Sequence, residues 1–254
     1  LYATRPYEEV EGSADALAAK WAEAALDNVK NGSLRIMRKN IRQMVKEFDE
    51  LPLKNIRKPK VGVVGEILVK YHPMANNDIV SVIENEGGEA VVLDLMDFFL
   101  YGMHSKKYNF KEVSGSFLTM LKNEVSILII EQFRQIARKV LNKSKRFHGP
   151  AYIIDTAKKA EKVTSLGNQC GEGWLLTGEM VELLDSGVTN IVCLQPFACL
   201  PNHVTGKGMM KPLRNYNSKA NIAAIDYDPG ASEVNQLNRI KLMMATAFKH
   251  MERE

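Results

Sequence analysis

Four short apolar runs, rich in β-branched residues, constrain this fold more than any other feature of the sequence. Each run is bounded by polar residues or glycine and is short for a buried helix, which is typical of a strand in a parallel sheet covered on both faces. The runs are KVGVVGE (60–66), EAVVLDL (89–95), TNIVCL (189–194) and NIAAIDY (221–227). The sequence therefore predicts a parallel sheet of about four strands.

Helical patterns alternate with these strands. Apolar residues recur at intervals of three or four over 112–146, as one long helix or a broken pair, and helices are also predicted over 76–86, 174–185, 203–216 and 229–251. Alternation of strands with helices places helices on both faces of a parallel sheet. We predict an α/β fold with a small flavodoxin-like or Rossmann-like sheet.

The first fifty residues lack strand patterns and contain two helical stripes. The first runs from Leu17 to Val29, the second from Leu34 to Phe48, and Asn31-Gly32-Ser33 separates them with a helix stop and a new N-cap. We predict a helical extension over residues 1–58 and one compact parallel α/β domain over 59–254. Because residue 1 is Leu, we expect both to be a fragment of a longer chain.

Composition and charge exclude several classes of protein. A hydrophobic fraction of 45% argues against disorder, and a net charge of +4, from 34 bases and 30 acids, is too mild to indicate nucleic-acid binding. No stretch approaches 18 apolar residues and no signal-peptide pattern opens the chain. We expect a cytoplasmic protein without a nucleic-acid or membrane partner.

Polar, glycine-rich loops follow the strands, at the edge where open parallel sheets bind their ligands. The candidate side chains and glycines are Glu66, His72 and Asn76 after the first strand, Gly171, Glu172 and Gly173 before the helix at 174, Asn202 and His203 after the third strand, and Asp228 after the fourth. Asp228 and Pro229 also have the residue types of an N-cap and first helical turn. Ordinary loops need the same residue types, so no single residue of this set indicates a binding site. The gathering of several such loops at one edge does.

The three cysteines occupy different contexts. Cys193 lies inside an apolar strand and is predicted to be a core residue. Cys170 lies among glycines just before a helix, where backbone amides and the helix dipole favour a thiolate. Cys199 lies in a loop bounded by Pro196 and Pro201. Two unremarkable loop thiols, a zinc site with His203, a Cys199–His203 nucleophile and an iron–sulfur site all remain open from the residues alone.

Several nucleotide and metal motifs are absent. GKGMMK lacks the pattern of a phosphate loop, since Pro201 and Gly208 stand where glycine and Ser or Thr are required. No strand leads into GNQCGEG as a dinucleotide fingerprint requires, and no C-x-x-C occurs. Lys207, Lys211 and Arg214 could contact phosphates, although a basic helix is more often a solvated surface.

Three C-terminal blocks and two N-terminal ones resemble a known family. CGEGWLLTGEM, QPFACLPNHVTGKGMMKPLR and AIDYDPGASEVNQLNRIKLMMA are similar to the acyl-CoA dehydratase activase-related proteins, within the 2-hydroxyglutaryl-CoA dehydratase D-component-like family, as are RPYE and VGVVGEILVKYHPMAN. The resemblance implies parallel α/β domains that hold an iron–sulfur cluster, of the 4Fe-4S or double-cubane type, through cysteines. It also implies electron supply by an ATP-dependent activase domain or subunit.

On this resemblance, Cys170 and Cys199 are expected to be cluster ligands, and further ligands must come from outside this chain. The expected function is electron transfer by a cluster-binding domain in a 2-hydroxyacyl-CoA dehydratase system, and the isolated fragment need not hold the cluster alone. The alternatives are a non-catalytic module that docks the activase or dehydratase partner, and an acyl-CoA-binding domain. A homodimer also remains open.

Overall fold

The computed structural model describes residues 1–228, 230 and 232–252. The chain divides into two compact units, Leu1–Arg57 with Leu128–Pro150, and Lys58–Ile127 with Ala151–Glu254. The domain boundary between residues 58 and 59 stays a prediction, because a division of contacts does not test which segments fold independently.

Helices and strands alternate through most of the chain. In chain order they are α1 (Ser13–Asn31), α2 (Leu34–Asp49), β1 (Lys60–Gly65), α3 (Ile67–Tyr71), α4 (Ile79–Asn85), β2 (Glu89–Val92), α5 (Met96–Glu112), α6 (Phe117–Leu141), α7 (Ile153–Ala160), α8 (Gly173–Asp185), β3 (Asn190–Pro196), α9 (Leu200–Thr205), α10 (Met210–Tyr216), β4 (Asn221–Tyr227) and α11 (Glu233–Met251). Short 3₁₀ turns occupy Arg5–Tyr7, Pro73–Ala75 and Lys207–Met209. Within this set no helix is both long and apolar enough to cross a membrane.

The first unit is helical, as the sequence predicts. The carboxylate of Glu8 accepts hydrogen bonds from the backbone amides of Gly12 and Ala14 and so satisfies free donors at the start of α1. The backbone amide of Ile36 donates to the Ser33 hydroxyl, which caps α2. The predicted break between the two helices at residues 31–33 is therefore confirmed.

The second unit contains a four-stranded, all-parallel sheet with the strand order β2-β1-β3-β4. This confirms the predicted fold class. The chain leaves β1 towards β2 on one side and returns to place β3 on the other, so the strand order reverses between β1 and β3. In open sheets such a reversal opens a crevice beyond the carboxyl ends of the two strands.

Apolar side chains alternate between the two faces of the sheet and build two cores. On one face Val61, Val63 and Leu194 pack with residues of α4 and α11, among them Ile83 and Met244. The other face is covered mainly by α8 and α10, with Ile191, Cys193, Ile222, Met180 and Leu213. Burial on both faces explains why the strands have continuous apolar runs.

Several elements differ from the predictions. The segment 112–146 contains one continuous helix, α6, and the preceding α5 was not predicted, nor were α3 and α7. The helix predicted over 203–216 is interrupted at Gly206, whose backbone leaves the helical region with φ of −105° and ψ of −82°. Glycine also fits the packing there, since a Cβ would lie 2.9 Å from the Cys193 Sγ. The last helix begins at Glu233 with Ser232 at its N-cap. The N-cap role of Asp228 is therefore wrong, and Pro229 lies outside the described residues.

Candidate functional site

Three loops of the second unit meet at the carboxyl ends of β1 and β3. The backbone amide of Glu66, directly after β1, donates to the carbonyl oxygen of Leu194 in β3 at 2.9 Å. The loop before α8 contains Cys170, and the loop after β3 contains Cys199. This junction lies at the point where the strand order reverses.

A buried carboxylate, Glu172, ties the three loops together. One carboxylate oxygen accepts a hydrogen bond from the backbone amide of Ile67 at 3.0 Å, and the other accepts one from the Asn202 side-chain amide at 3.2 Å. Glu172 is only 6% exposed and Asn202 is completely buried. The position of each loop therefore depends on the same carboxylate.

The loop around Glu172 requires glycine on both sides. Gly171 has φ of 58° and Gly173 has φ of 47°, the left-handed region that side chains disfavour. A Cβ at Gly171 would lie 3.1 Å from the Cβ of Pro201, and one at Gly173 would overlap the carbonyl oxygen of Asn168 and the hydroxyl of Tyr101. The Cys170 loop thus packs directly against the Cys199 loop.

Cys199 lies at the N-cap position of α9 and is partly buried. Its thiol donates to the side-chain oxygen of Asn202 at 2.7 Å. Since Asn202 also donates to Glu172, a chain of polar contacts connects the Cys199 sulfur to the Cys170 loop. Cys170 itself is exposed.

His203 does not act on the Cys199 thiol through its Nδ1 atom. That ring nitrogen lies 2.9 Å from the backbone carbonyl oxygen of Cys199, to which it can only donate. The thiol has Asn202 as its partner instead. This geometry gives no support to a Cys199–His203 nucleophile.

Cys170 and Cys199 lie on neighbouring loops and could supply at most two thiolate ligands to a metal cluster. Cysteine thiolates are the ordinary ligands of iron–sulfur clusters, usually four to a cluster. Within the described ranges, 1–228, 230 and 232–252, no group of three or more His, Cys, Asp or Glu side chains could hold a metal ion. Cys170, Cys199 and His203 are therefore not arranged as a zinc site, and the described residues offer no more than two thiolates at this edge.

A buried hydroxyl without a hydrogen-bond partner among the described residues lies beside the Cys170 loop. Tyr101 of α5 is 4% exposed, and its hydroxyl has no acceptor among the described residues. Burial raises the pKa of Tyr101, and the neighbouring Glu172 and Cys170 raise it further, so the hydroxyl stays a donor. An unpartnered buried donor calls for an explanation, and a bound acceptor is one.

Tyr101 was missed because α5 was not predicted. Its ring packs edge-on against Trp174 with 5.0 Å between centroids, and Trp174 donates to Ser105 one turn further along α5. Tyr101 and Ser105 are four residues apart and both contact Trp174, but this spacing is a weak signal because the neighbouring apolar residues do not keep to one side of α5.

A second buried polar atom without a partner in the described chain belongs to Gln195, at the end of β3. Its amide donates to Asp226 at 2.6 Å, whereas its side-chain oxygen has no donor. The Lys207 ammonium lies 3.6 Å from the same Asp226 carboxylate. Gln195 is completely buried, and the sequence patterns gave no reason to select it.

Three of the predicted edge residues after β1 are accounted for by local structure or exposure. Glu66 caps α3, accepting from the Val69 amide at 2.8 Å. Asn76 is buried and donates to the Val69 carbonyl at 2.7 Å, while its oxygen accepts from the Ile79 amide. His72 ends α3 and is exposed. No contact described here brings these three side chains to the cysteines.

Asp228 lies at a separate cavity of about 370 Å³ beyond β4. It accepts from the Gly230 amide at 3.2 Å, and Phe197, Asp226 and Arg239 also line the space. Phe197 precedes Cys199 by two residues, so this cavity borders the Cys199 loop.

A buried ion pair holds α3 against α8. The Lys70 ammonium contacts both carboxylate oxygens of Glu179 at 2.8 and 3.0 Å, and both side chains are almost completely buried. Burial alone would lower the pKa of Lys70, but the adjacent Glu179 carboxylate holds it above its ordinary value. The pair positions the helix that carries Ile67, the partner of Glu172.

The remaining candidates have structural roles. Burial raises the pKa of Cys193 to about 12 and the residue is completely buried, which confirms its placement in the core. Lys207 pairs with Asp226, and Arg214 donates to the Ile222 carbonyl. These contacts leave little support for a phosphate site at Lys207, Lys211 and Arg214.

No family model, curated protein or solved structure matches this chain. The family resemblance therefore stays a prediction. We call the junction of the three loops at the carboxyl ends of β1 and β3, with Cys170, Glu172, Cys199 and Asn202, the rim.

Proposed function

We propose that the chain is an iron–sulfur-cluster-binding, electron-transfer domain of an acyl-CoA dehydratase activase-related protein. It would relay low-potential electrons from an ATP-dependent activase within a 2-hydroxyacyl-CoA dehydratase system. The observation that carries the proposal is that Cys170, which is exposed, and Cys199, which is partly buried, lie on two loops that contact each other at the sheet reversal. The unpartnered Tyr101 hydroxyl beside Cys170 supports it.

Each side chain of the rim has a defined task in this proposal. Cys170 and Cys199 would hold the cluster, which would supply one-electron chemistry when bound. Glu172 and Asn202 keep the two cysteine loops in register through their hydrogen bond. The Tyr101 hydroxyl would be free to donate a hydrogen bond to the bound group, and hydrogen bonds of this kind tune cluster potentials.

The proposal requires ligands from elsewhere. Two thiolates leave an ordinary four-thiolate cluster incomplete, so the other positions fall to a partner domain or subunit, or to a non-protein ligand. The exposure of Cys170 is consistent with a cluster shared across such a contact.

Anaerobic iron–sulfur reconstitution of the chain together with its activase partner tests the assignment. We expect bound iron and a visible absorbance band, both lost in Cys170→Ala and in Cys199→Ala. Cys193→Ala is the matched control, because its thiol is buried in the core and should not affect iron content. Iron content equal to that of the unchanged protein in both rim variants would overturn the ligand assignment.

A second candidate function, a docking module without a cluster, is favoured by two exposed apolar side chains beside Cys199. Phe197 is 71% exposed and Leu200 is 73% exposed. Exposed apolar residues grouped on one loop are typical of protein contacts. Co-purification of the activase with the Cys170→Ala, Cys199→Ala double variant, without iron in either protein sample, would favour docking. Phe197→Ser in the otherwise unchanged chain tests whether the two functions share this loop: loss of activase binding with iron retained would support that.

A further inference from the structure

The first unit contains a positively charged cavity that the proposed function does not use. The cavity has a volume of about 520 Å³ and lies between α2 and the end of α6. Four exposed cations line it: Arg38 and Arg42 from α2, and Lys139 and Lys143 from the other wall. No acidic side chain lines it. We call it the α2–α6 groove.

The four cations have no counter-charges of their own. In the part of the chain that the structure describes, none of them forms an ion pair, and the nearby acids are already engaged. Glu131 of α6 binds the buried Arg134 and Arg138, and Glu47 of α2 binds Lys20. The described residues therefore do not neutralise the positive charge of the groove, which is available to bind an anion from solution.

The spacing of the cations concentrates this charge. Arg38 and Arg42 are four residues apart in α2 and so share one side of that helix. Lys139 in α6 and Lys143 just beyond its end both line the groove. Like charges at this spacing weaken a helix. The unit as a whole carries 16 Lys and Arg against 10 Asp and Glu, whereas the rest of the chain carries 18 against 20. The chain's positive excess lies entirely in this unit.

The rest of the groove has the character of a small-molecule site. Gln132 and Gln135 present side-chain amides, and Ile136 and Val140 supply an apolar surface between the cations. A volume of about 520 Å³ falls within the range of ordinary ligand pockets. A few polar groups on an apolar floor are the usual composition of such pockets.

We propose that the α2–α6 groove binds a small molecule that carries a diphosphate group. Guanidinium groups match phosphate oxygens in paired hydrogen bonds, and lysines add point charges from the opposite wall. No aromatic residue lines the groove, which disfavours single-stranded nucleic acid, whose bases stack on aromatic rings. The proposal is independent of the cysteine site, because it rests on different residues.

Isothermal titration of the 254-residue chain with pyrophosphate, ADP and orthophosphate tests this site. We expect one site per chain for pyrophosphate and for ADP, with weaker binding of orthophosphate. Arg38→Gln with Arg42→Gln should weaken ADP binding by about tenfold or more, and so should Lys139→Gln with Lys143→Gln on the other wall. All four side chains are exposed, so neither double variant should lose its fold, which thermal melting checks.

The matched control is Arg35→Gln with Lys39→Gln. It removes the same charge from exposed positions of the same helix that do not line the groove, and it should leave ADP binding within about twofold. Equal weakening in the control and groove variants would overturn the proposal in favour of diffuse attraction. Absence of binding by all three anions would overturn it too, as would binding of an acidic peptide or an oligonucleotide in place of the diphosphates.

Discussion

Tyr101 carries a hydroxyl that folding removes from water without an acceptor among the described residues. Such a group destabilises the folded state, because its hydrogen bond to water is lost and not replaced. Tyr71, the last residue of α3, is the opposite case, because its hydroxyl has a hydrogen-bond acceptor. Its hydroxyl donates to the Leu93 carbonyl oxygen at 2.7 Å.

Tyr101→Phe and Tyr71→Phe should therefore have effects of opposite sign. In the metal-free protein we expect the free energy of unfolding to rise by up to about 1 kcal/mol for Tyr101→Phe and to fall by about 1 kcal/mol for Tyr71→Phe. Urea denaturation of both variants measures the two changes. A loss for Tyr101→Phe as large as that for Tyr71→Phe would mean that the hydroxyl has an acceptor in the folded protein.

An ion pair joins helices α3 and α8 in addition to apolar packing. Lys70 and Glu179 are separated by 109 positions, and their ion pair is closed off from water at the junction of the two helices. A buried ion pair costs a large desolvation energy, which only a complete pair offsets. Removing one partner is consequently much worse than removing both.

Glu179→Gln should lower the free energy of unfolding by about 3–5 kcal/mol, since it leaves the Lys70 ammonium buried without a carboxylate. Lys70→Met combined with Glu179→Leu should restore stability to near that of the unchanged protein. Asp155→Asn, which breaks the exposed pair with Lys158, is the control and should have little effect. Thermal and urea denaturation measure all three, and a double variant as unstable as Glu179→Gln would contradict the argument.

The elements that could be predicted from sequence are those whose patterns are local. The four β-branched runs marked the strands, and Gly32 with Ser33 marked the break between α1 and α2. Helix α3 is only five residues long and therefore shows no full apolar period. Helix α5 was missed because its apolar residues do not keep to one side: Leu100 and Tyr101 are buried while Phe99 is 54% exposed.

The contacts of the site were less predictable than its loops. The sequence selected Cys170, Glu172, Cys199 and Asn202 as candidates because the ends of parallel strands meet at one edge. It could not show that Glu172 bonds both Ile67 and Asn202, or that Tyr101 lies beside the loop. Those contacts join segments far apart in the chain, and only the packed sheet brings them together.

The two units of the molecule bury their residues to different extents. Helix α1 has one buried residue, Ala14, and exposes Leu26 and Val29 at 63% and 80%. Strand β3 is buried along nearly its whole length and is bonded on both sides. Local opening is easier where few apolar contacts must be broken.

Native-state hydrogen exchange should reflect this difference. We expect the amides of α1 to exchange through local opening at a low free energy, and those of β1 and β3 to exchange only with global unfolding of their unit. Peptide-resolved mass spectrometry across a range of denaturant concentrations distinguishes the two. Protection of α1 equal to that of β3 would contradict the expectation.

The hydrogen bonds of the Glu172 carboxylate also bear on the order in which the contacts of the rim form during folding. Its two hydrogen bonds join residues 105 and 30 positions apart, so both large loops must close before either contact can form. Closing long loops costs chain entropy, which places such contacts late on a folding route. We therefore expect the Glu172 contacts to be absent until the sheet-containing unit has folded. Any ligand that binds there selects the finished fold, and its binding free energy adds to the stability of the entire sheet-containing unit rather than to one loop.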